Sequence, residues 1–214
     1  MQKVAHRRWK SMIIPQQQRK RSAFVTEPSK DARSPVLLLA GGGIDSTLCM
    51  HHFCEAKLQF RALHFDYGQQ ASRLEWEAVK ATSKHFGGIA TQVKIASPQT
   101  FFPGEVIGRN AAFIFLALMH LAPPERLICI GIHAGTPFYD CSKSFFESTE
   151  RLVAEHSDSR VRLIAPLVDY TKPEIVALLR ETGLDLRLTY SCQQGVEGGC
   201  GTCHSCLDRR SLGC

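Results

Sequence analysis

A run of three glycines followed by carboxylate and hydroxyl side chains is the part of this sequence best suited to hold a chain of phosphates. Glycine lets a ligand approach the backbone closely, and the first amide N–H groups of a helix attract an anion. We therefore predict a phosphate site here, against the alternative of an ordinary glycine-rich strand-to-helix turn. The residues of this phosphate loop are Ala40, Gly41, Gly42, Gly43, Ile44, Asp45, Ser46 and Thr47.

Four cysteines have the spacing of metal ligands, C-x7-C-x2-C-x2-C. Four thiolates suit tetrahedral Zn²⁺, and the glycines between them let the loops fold tightly around an ion. Such a closed shell has no open position for substrate, so we expect the metal to fold this segment. An iron–sulfur cluster and a zinc ribbon that binds nucleic acid are the alternatives. The four ligands are Cys192, Cys200, Cys203 and Cys206.

The phosphate loop differs from the two better-known phosphate-binding loops. A Walker A loop needs a Lys directly after its last Gly, and a dinucleotide fingerprint needs a Gly where Ser46 stands. The loop instead resembles the S-G-G-x-D-S loop of the N-type ATP pyrophosphatases, which cleave ATP between its α and β phosphates to make an adenylate. Gly41 takes the place of the leading Ser, which removes one hydroxyl and keeps the backbone amides.

Apolar segments that alternate with helical periodicities predict the elements that position these residues. We expect strands over 36–40, 60–65, 91–95, 127–132 and 161–165, and helices over 46–56, 74–86, 111–121 and 142–156. A capping box, Thr171 to Glu174, starts a further helix. The order predicts an α/β fold, a Rossmann-like doubly wound parallel sheet, with right-handed crossovers. The phosphate loop and the residues after the second strand then share the ligand-binding edge of the sheet.

Composition indicates a soluble globular protein, because 44% of the 214 residues are hydrophobic and 21% are charged. No apolar run approaches the roughly 20 residues that cross a bilayer, and no secretory signal is visible. Five of the nine cysteines lie outside the metal-ligand pattern and are scattered, which favours a reducing compartment. We therefore expect a cytoplasmic protein that does not contact a membrane.

Positive charge is concentrated in residues 1–34, which carry nine Lys or Arg against two acidic residues. We predict that this leader is flexible or ordered by a partner, and that it contacts nucleic acid, an acidic protein or a macromolecular acceptor. A solubilising tail and a misplaced start codon are the alternatives. We further predict an α/β ATP pyrophosphatase-like domain over 35–187 and a zinc-binding C-terminal segment over 188–214.

Several motifs, in order and spacing, resemble those of the QueC family, 7-cyano-7-deazaguanine synthase, over residues 36 to 210. The early ones are the phosphate loop itself, Phe65-Asp66-Tyr67-Gly68-Gln69 and Gly108-Arg109-Asn110. The later ones are Asp140-Cys141, Lys172 with Glu174-Ile175-Val176, Leu188-Thr189-Tyr190-Ser191-Cys192, the three remaining cysteines and Arg209.

The resemblance implies an ATP-dependent ligase that uses Mg²⁺ and adenylates the carboxylate of 7-carboxy-7-deazaguanine. Ammonia displaces AMP to leave an amide, and a second ATP drives its dehydration to the nitrile, 7-cyano-7-deazaguanine (preQ0). We expect Asp45 to orient Mg²⁺ or the loop, Ser46 and Thr47 to hold phosphate, and Arg109 to meet negative charge. The resemblance also suggests a homodimer. Residues expected to line the base pocket are Asp66, Tyr67, Asn110, Asp140 and Cys141.

Each of these roles has a structural alternative. Arg109 would then be a surface residue at a helix start, Asp140 a turn former and Cys141 a core residue. The sequence also departs from the family pattern at Gly41, at residues 70–74, at Ile107 and in a shortened stretch before Asp140. Alternative functions are a defence-system enzyme that transfers the deazaguanine to a protein amine, a tRNA-modifying ligase and a silent binding module.

Overall fold

The computed structural model describes residues 34–96, 101 and 104–214. Its five strands are β1 (Val36–Leu39), β2 (Phe60–Asp66), β3 (Ile89–Lys94), β4 (Leu127–Ile130) and β5 (Arg162–Ile164). Its six α-helices are α1 (Ile44–Glu55), α2 (Ser72–His85), α3 (Arg109–Met119), α4 (Lys143–His156), α5 (Lys172–Glu181) and α6 (His204–Ser211). Two short 3₁₀ turns cover Tyr139–Cys141 and Leu186–Leu188.

The five strands form one sheet in the order β3-β2-β1-β4-β5, and all neighbouring pairs are parallel. The chain moves outward from β1 to β3 on one side and then crosses to β4 on the other. Strand order therefore reverses between β1 and β4, which is where doubly wound sheets leave a ligand crevice. The predicted α/β fold with a parallel sheet is confirmed.

Apolar side chains fill a layer on each face of the sheet. Val36 and Leu38 point to the layer formed with α1, α2 and α5, whereas Leu37 and Leu39 point to the layer formed with α3 and α4. Successive side chains of a strand alternate between faces, so a strand covered on both sides must be apolar throughout. All four residues of β1 and of β4 are buried for this reason.

Local sequence signals explain where the helices begin. Glu174 accepts hydrogen bonds from the backbone N–H and the hydroxyl of Thr171, at 2.8 and 2.9 Å, so the predicted capping box starts α5. Ser142 caps α4 by accepting from the N–H of Phe145. Helix α1 begins at Ile44, two residues earlier than expected, because Gly43 is its N-cap. Helix α6, which starts beside Cys203, was missed by the sequence analysis.

The described residues contain no helix that is both long and apolar enough to cross a membrane. The predicted basic leader lies outside the described residues, except for Ser34.

Replacing Gly42 by Ala tests the packing beneath the phosphate loop. Gly42 has a φ of +73°, and a Cβ there would lie 2.6 Å from the carbonyl oxygen of Glu75 and 2.9 Å from the Cβ of Ala78. We expect the substitution to lower the free energy of unfolding by about 1–3 kcal/mol, measured by urea denaturation. Gly41→Ala is the control, because a Cβ at Gly41 meets no atom within 4 Å. Equal losses in the two variants would contradict this account.

Candidate functional site

The phosphate loop lies at the carboxyl edge of the sheet, between β1 and the start of α1. Gly131, directly after β4, packs against the first turn of α1, since a Cβ on it would lie 3.3 Å from the backbone nitrogen of Ser46. The residues that follow β1, β2 and β4 therefore surround one crevice. This is the edge at which a doubly wound sheet binds its ligands.

The carbonyl of Gly43 organises the phosphate loop. It accepts hydrogen bonds from the hydroxyl groups of Ser46 and Thr47, at 3.1 and 2.8 Å, and from the N–H of Thr47 at 3.2 Å. Ser46 is 6% exposed and Thr47 is completely buried. Both hydroxyls therefore shape the turn from inside. The first N–H groups of α1 lack intrahelical acceptors, as in any helix, and so remain the natural donors to an anion.

Lys172 and Asp45 form an ion pair beside the phosphate loop. The ammonium nitrogen of Lys172 lies 2.7 Å from each carboxylate oxygen of Asp45, and each side chain is 25% exposed. Lys172 is the first residue of α5, where the helix dipole disfavours a cation. The sequence analysis quoted this lysine without giving it a role. A cation directly after a clear capping residue was the available signal.

Gln69 holds the turn that follows β2. Its amide nitrogen donates to the carbonyl of Phe65 at 3.0 Å and to the carboxylate of Glu75 at 2.8 Å, while its amide oxygen accepts from the N–H of Tyr67 at 2.9 Å. The turn presents Asp66 and Tyr67 at the carboxyl edge, as predicted from sequence. Gln69 itself was missed as a positioning residue, although a Gln in a tight turn is well suited to such bridging.

Aromatic rings cover one side of this turn. The ring of Tyr67 lies 5.1 Å from that of Phe101 and 5.3 Å from that of Phe113 on α3. Phe65 stacks against Phe113 at 4.7 Å. Tyr67 is half-buried, so it offers part of its face to the crevice.

Two ionisable side chains are buried between the phosphate loop and α2. Burial raises the pKa of Glu75, while its hydrogen bond from Gln69 and the nearby charges of His64 and Arg109 oppose the rise. His64 is 1% exposed, and its Nδ1 lies 3.1 Å from the carbonyl oxygen of Ala40. The His64 ring stacks on Trp76 at 6.0 Å. The first residue of the loop is thus tied to the interior of the domain.

Asn110, Asp140 and Cys141 form a second polar cluster at the start of α3. The amide of Asn110 donates to the backbone carbonyl of Asp140 at 3.0 Å, and the carboxylate of Asp140 accepts from the backbone N–H of Asn110 at 3.3 Å. The Asn110 amide also lies 3.7 Å from the sulfur of Cys141. The structure therefore brings these three predicted residues together, 30 positions apart in sequence.

Electrostatics place Arg109 between this cluster and the turn after β2. The positive charge of Arg109 acts to lower the pKa of both Glu75 and Cys141. Burial dominates for Cys141 and raises its pKa, so the group stays a thiol that can donate toward Asp140. This protonation state suits a binding residue better than a nucleophile.

The four cysteines of the predicted metal site converge. Their sulfurs all lie within 4.8 Å of one another, and those of Cys200 and Cys206 are 3.9 Å apart. A regular tetrahedron with metal–sulfur bonds of about 2.3 Å has sulfurs about 3.8 Å apart. Hydrogen bonds from Thr202 and from backbone N–H groups lower the pKa of Cys200 to about 5. The donor set therefore fits a metal ion.

The segment that carries these cysteines packs against the candidate site. The backbone N–H of Tyr190 donates to the carbonyl of Gly42 at 2.8 Å. A Cβ on Gly195 would lie only 2.3 Å from the carbonyl oxygen of Gln70, so this glycine permits a close contact with the turn after β2. Arg73 and Glu197 pair at 2.7 Å across the same boundary.

Comparison with known proteins gives one consistent family. The model of the family described as queuosine biosynthesis protein QueC matches residues 35–104 and 90–212. The chain is 34% identical over 202 residues to a 7-cyano-7-deazaguanine synthase 2 of Desulfitobacterium hafniense, covering 81% of this chain and 85% of that one. It is 29% identical over 202 residues to a 7-cyano-7-deazaguanine synthase of Methanothermobacter thermautotrophicus, covering 80% and 90%.

Solved structures resemble the chain more distantly. A predicted subunit of tRNA methyltransferase from Methanocaldococcus jannaschii matches with a TM-score of 0.47 and 16% identity, covering 69% of this chain and 76% of that one.

Replacing Cys200 by Ser tests the metal site. We expect the purified chain to hold one metal ion and the variant to lose it, because three thiolates leave the tetrahedral shell open. Loss of an ion that stabilises the fold by about 3 kcal/mol lowers the Tm by roughly 10 °C. Metal content is measured by inductively coupled plasma mass spectrometry, and Tm by circular dichroism. Cys54→Ser, an exposed position on α1, is the control. Unchanged metal content in the Cys200 variant would contradict the site.

Proposed function

The chain belongs to the QueC family of queuosine biosynthesis proteins, and from that membership we propose that it is an ATP-dependent ligase acting on 7-carboxy-7-deazaguanine. It adenylates the carboxylate, transfers the acyl group to a nitrogen nucleophile and carries the amide on to the nitrile, 7-cyano-7-deazaguanine. The relatives are named for that last product.

The phosphate loop is the observation that carries the proposal. It joins the end of β1 to α1, and the carbonyl of Gly43 engages the inward-facing hydroxyls. The exposed side of the turn is therefore backbone, and the open space at Gly41 admits a phosphate group. Amide N–H groups and the positive end of the α1 dipole complement the triphosphate without a Walker-type lysine.

Asp45 and Lys172 would meet the nucleotide at the edge of the loop. Lys172 neutralises the Asp45 carboxylate in the absence of ligand. A bound Mg²⁺ would supply positive charge to the departing pyrophosphate, and Asp45 is the nearest carboxylate to hold it. Lys172 would then be free to pair with a phosphate oxygen. The pair thus keeps the loop from repelling ATP.

The heterocyclic acid would bind between the turn after β2 and the start of α3. Tyr67 offers an aromatic face for stacking on the deazaguanine ring, and Asp66 and Asp140 offer acceptors for its ring N–H and amino groups. Asn110 and Cys141 hold Asp140 in place. Arg109 would attract the substrate carboxylate toward the phosphate loop.

The proposed chemistry needs little from side chains beyond placement. The substrate carboxylate attacks the α-phosphorus of ATP, and the bond to pyrophosphate breaks. Ammonia adds to the acyl adenylate, loses a proton and expels AMP, which leaves the amide. A second ATP activates the amide oxygen, and loss of AMP with the amide protons gives the nitrile. Proximity of the reactants and stabilisation of the transition-state charge lower most of these barriers.

Incubation of the protein with ATP, Mg²⁺ and 7-carboxy-7-deazaguanine tests the proposal. We expect AMP and pyrophosphate to form in step with amide and nitrile when ammonia is present, measured by mass spectrometry. Omission of the acid is the control for simple ATP hydrolysis. Without ammonia, a single turnover to the adenylate is expected. Absence of AMP in every arm, in protein shown to be folded, would refute the ligase function.

Lys172→Met tests the role of the ion pair. Without the ammonium, the Asp45 carboxylate repels the triphosphate, so we expect the Kd for ATP to rise about tenfold, which corresponds to about 1.4 kcal/mol. Isothermal titration calorimetry measures the affinity. Lys80→Met is the matched control, because Lys80 pairs with Glu77 on the exposed side of α2. A similar affinity change in both variants would point to a general charge effect instead.

A further inference from the structure

Arg209 on α6 bridges several groups of the segment that precedes the first cysteine. Its Nη1 donates to the hydroxyl of Thr189 at 2.8 Å and to the hydroxyl of Ser191 at 3.3 Å. Its Nη2 donates to the carbonyl of Leu186 at 3.0 Å. One half-buried guanidinium therefore fixes the backbone path of residues 186–191. We call these six residues the bracing segment.

The bracing segment reaches the phosphate loop through Tyr190. Its N–H donates to the carbonyl of Gly42, and a Cβ on Gly43 would lie 3.7 Å from the carbonyl oxygen of Tyr190 and 3.8 Å from the hydroxyl of Ser191. The two residues that Arg209 holds by their hydroxyls flank Tyr190 directly. Movement of the bracing segment would therefore change the setting of the two glycines at the N-terminus of α1.

The other end of this connection depends on the cysteines. Cys203 is the N-cap of α6, and Cys206 lies in its first turn, three positions before Arg209. An isolated helix of eight residues is marginal in water, so its placement must come from tertiary contacts. A metal ion held by these thiolates would fix the first turn of α6 and, through it, the guanidinium.

The cysteine segment also has anchors that do not involve Arg209. Gly195 packs on the backbone of Gln70, and Glu197 pairs with Arg73. The thiolate loop therefore keeps its own attachment to the domain. Removal of the guanidinium should release the bracing segment and leave the metal site intact.

We propose that Arg209 is a positioning residue for nucleotide binding, which transmits the folded state of the four-cysteine site to the phosphate loop through Thr189, Tyr190 and Ser191. The inference rests on the proposed ATP-binding function of that loop. A guanidinium suits the role because its planar fork donates in several directions at once, whereas an ammonium acts as a single point charge.

Arg209→Gln and Arg209→Lys test the proposal in the metal-loaded full-length protein. Hydrogen–deuterium exchange of peptides covering residues 41–47 reports the loop without any nucleotide. We expect faster exchange there in both variants, about a tenfold higher Kd for ATP by calorimetry, and unchanged metal content and affinity for 7-carboxy-7-deazaguanine. Chelation of the wild-type metal should give the same faster exchange. Arg210→Gln, the exposed neighbour on α6, is the control and should match the wild type.

Each other outcome overturns the proposal in a recognisable way. Recovery of ATP affinity in the Lys variant would mean that the charge itself meets the nucleotide. Loss of metal in both variants would assign Arg209 to the metal site alone. Wild-type exchange and affinity in the Gln variant would leave no coupling. Absence of ATP binding by the wild type would refute the proposed function, while the exchange data would still decide whether Arg209 sets the loop.

Discussion

The main-chain hydrogen bond from Tyr190 to Gly42 joins the two parts on which the candidate site depends. On one side Gly42 is pressed against α2 so closely that no side chain fits, and on the other its carbonyl is held by the segment leading to the cysteines. The turn is thus fixed from two directions. Backbone amides can serve as a ligand site only when their direction is set in advance, because they have no rotamers with which to adapt.

This constraint explains the polar interior around the loop. His64 contacts the carbonyl of Ala40, and Glu75 reaches the turn after β2 through Gln69. Burial makes the charged form of Glu75 costly, yet nearby positive charge and the Gln69 amide offset part of that cost. A purely apolar layer would give the same burial but no directional hold on either turn.

Sequence patterns predicted the features that depend on local or periodic signals. Apolar β1, the capping box at Thr171 and the four-cysteine spacing each state their structure within a few residues, and the fold follows from their order. The Lys172–Asp45 pair could not be predicted in this way, since 127 positions separate the partners and only the topology brings them together. The contact of Tyr190 with Gly42 is equally invisible, because a backbone donor leaves no trace in residue type.

The order in which the chain is made gives the bond at Gly42 a further meaning. The glycine turn leaves the ribosome early, whereas the residue that fastens it is added about 150 positions later. At the usual speed of translation the interval lasts roughly 10–30 s. During that time the sheet can assemble with its first turn unbraced. Capacity to engage a nucleotide therefore arrives late in biosynthesis, after the rest of the domain has already formed.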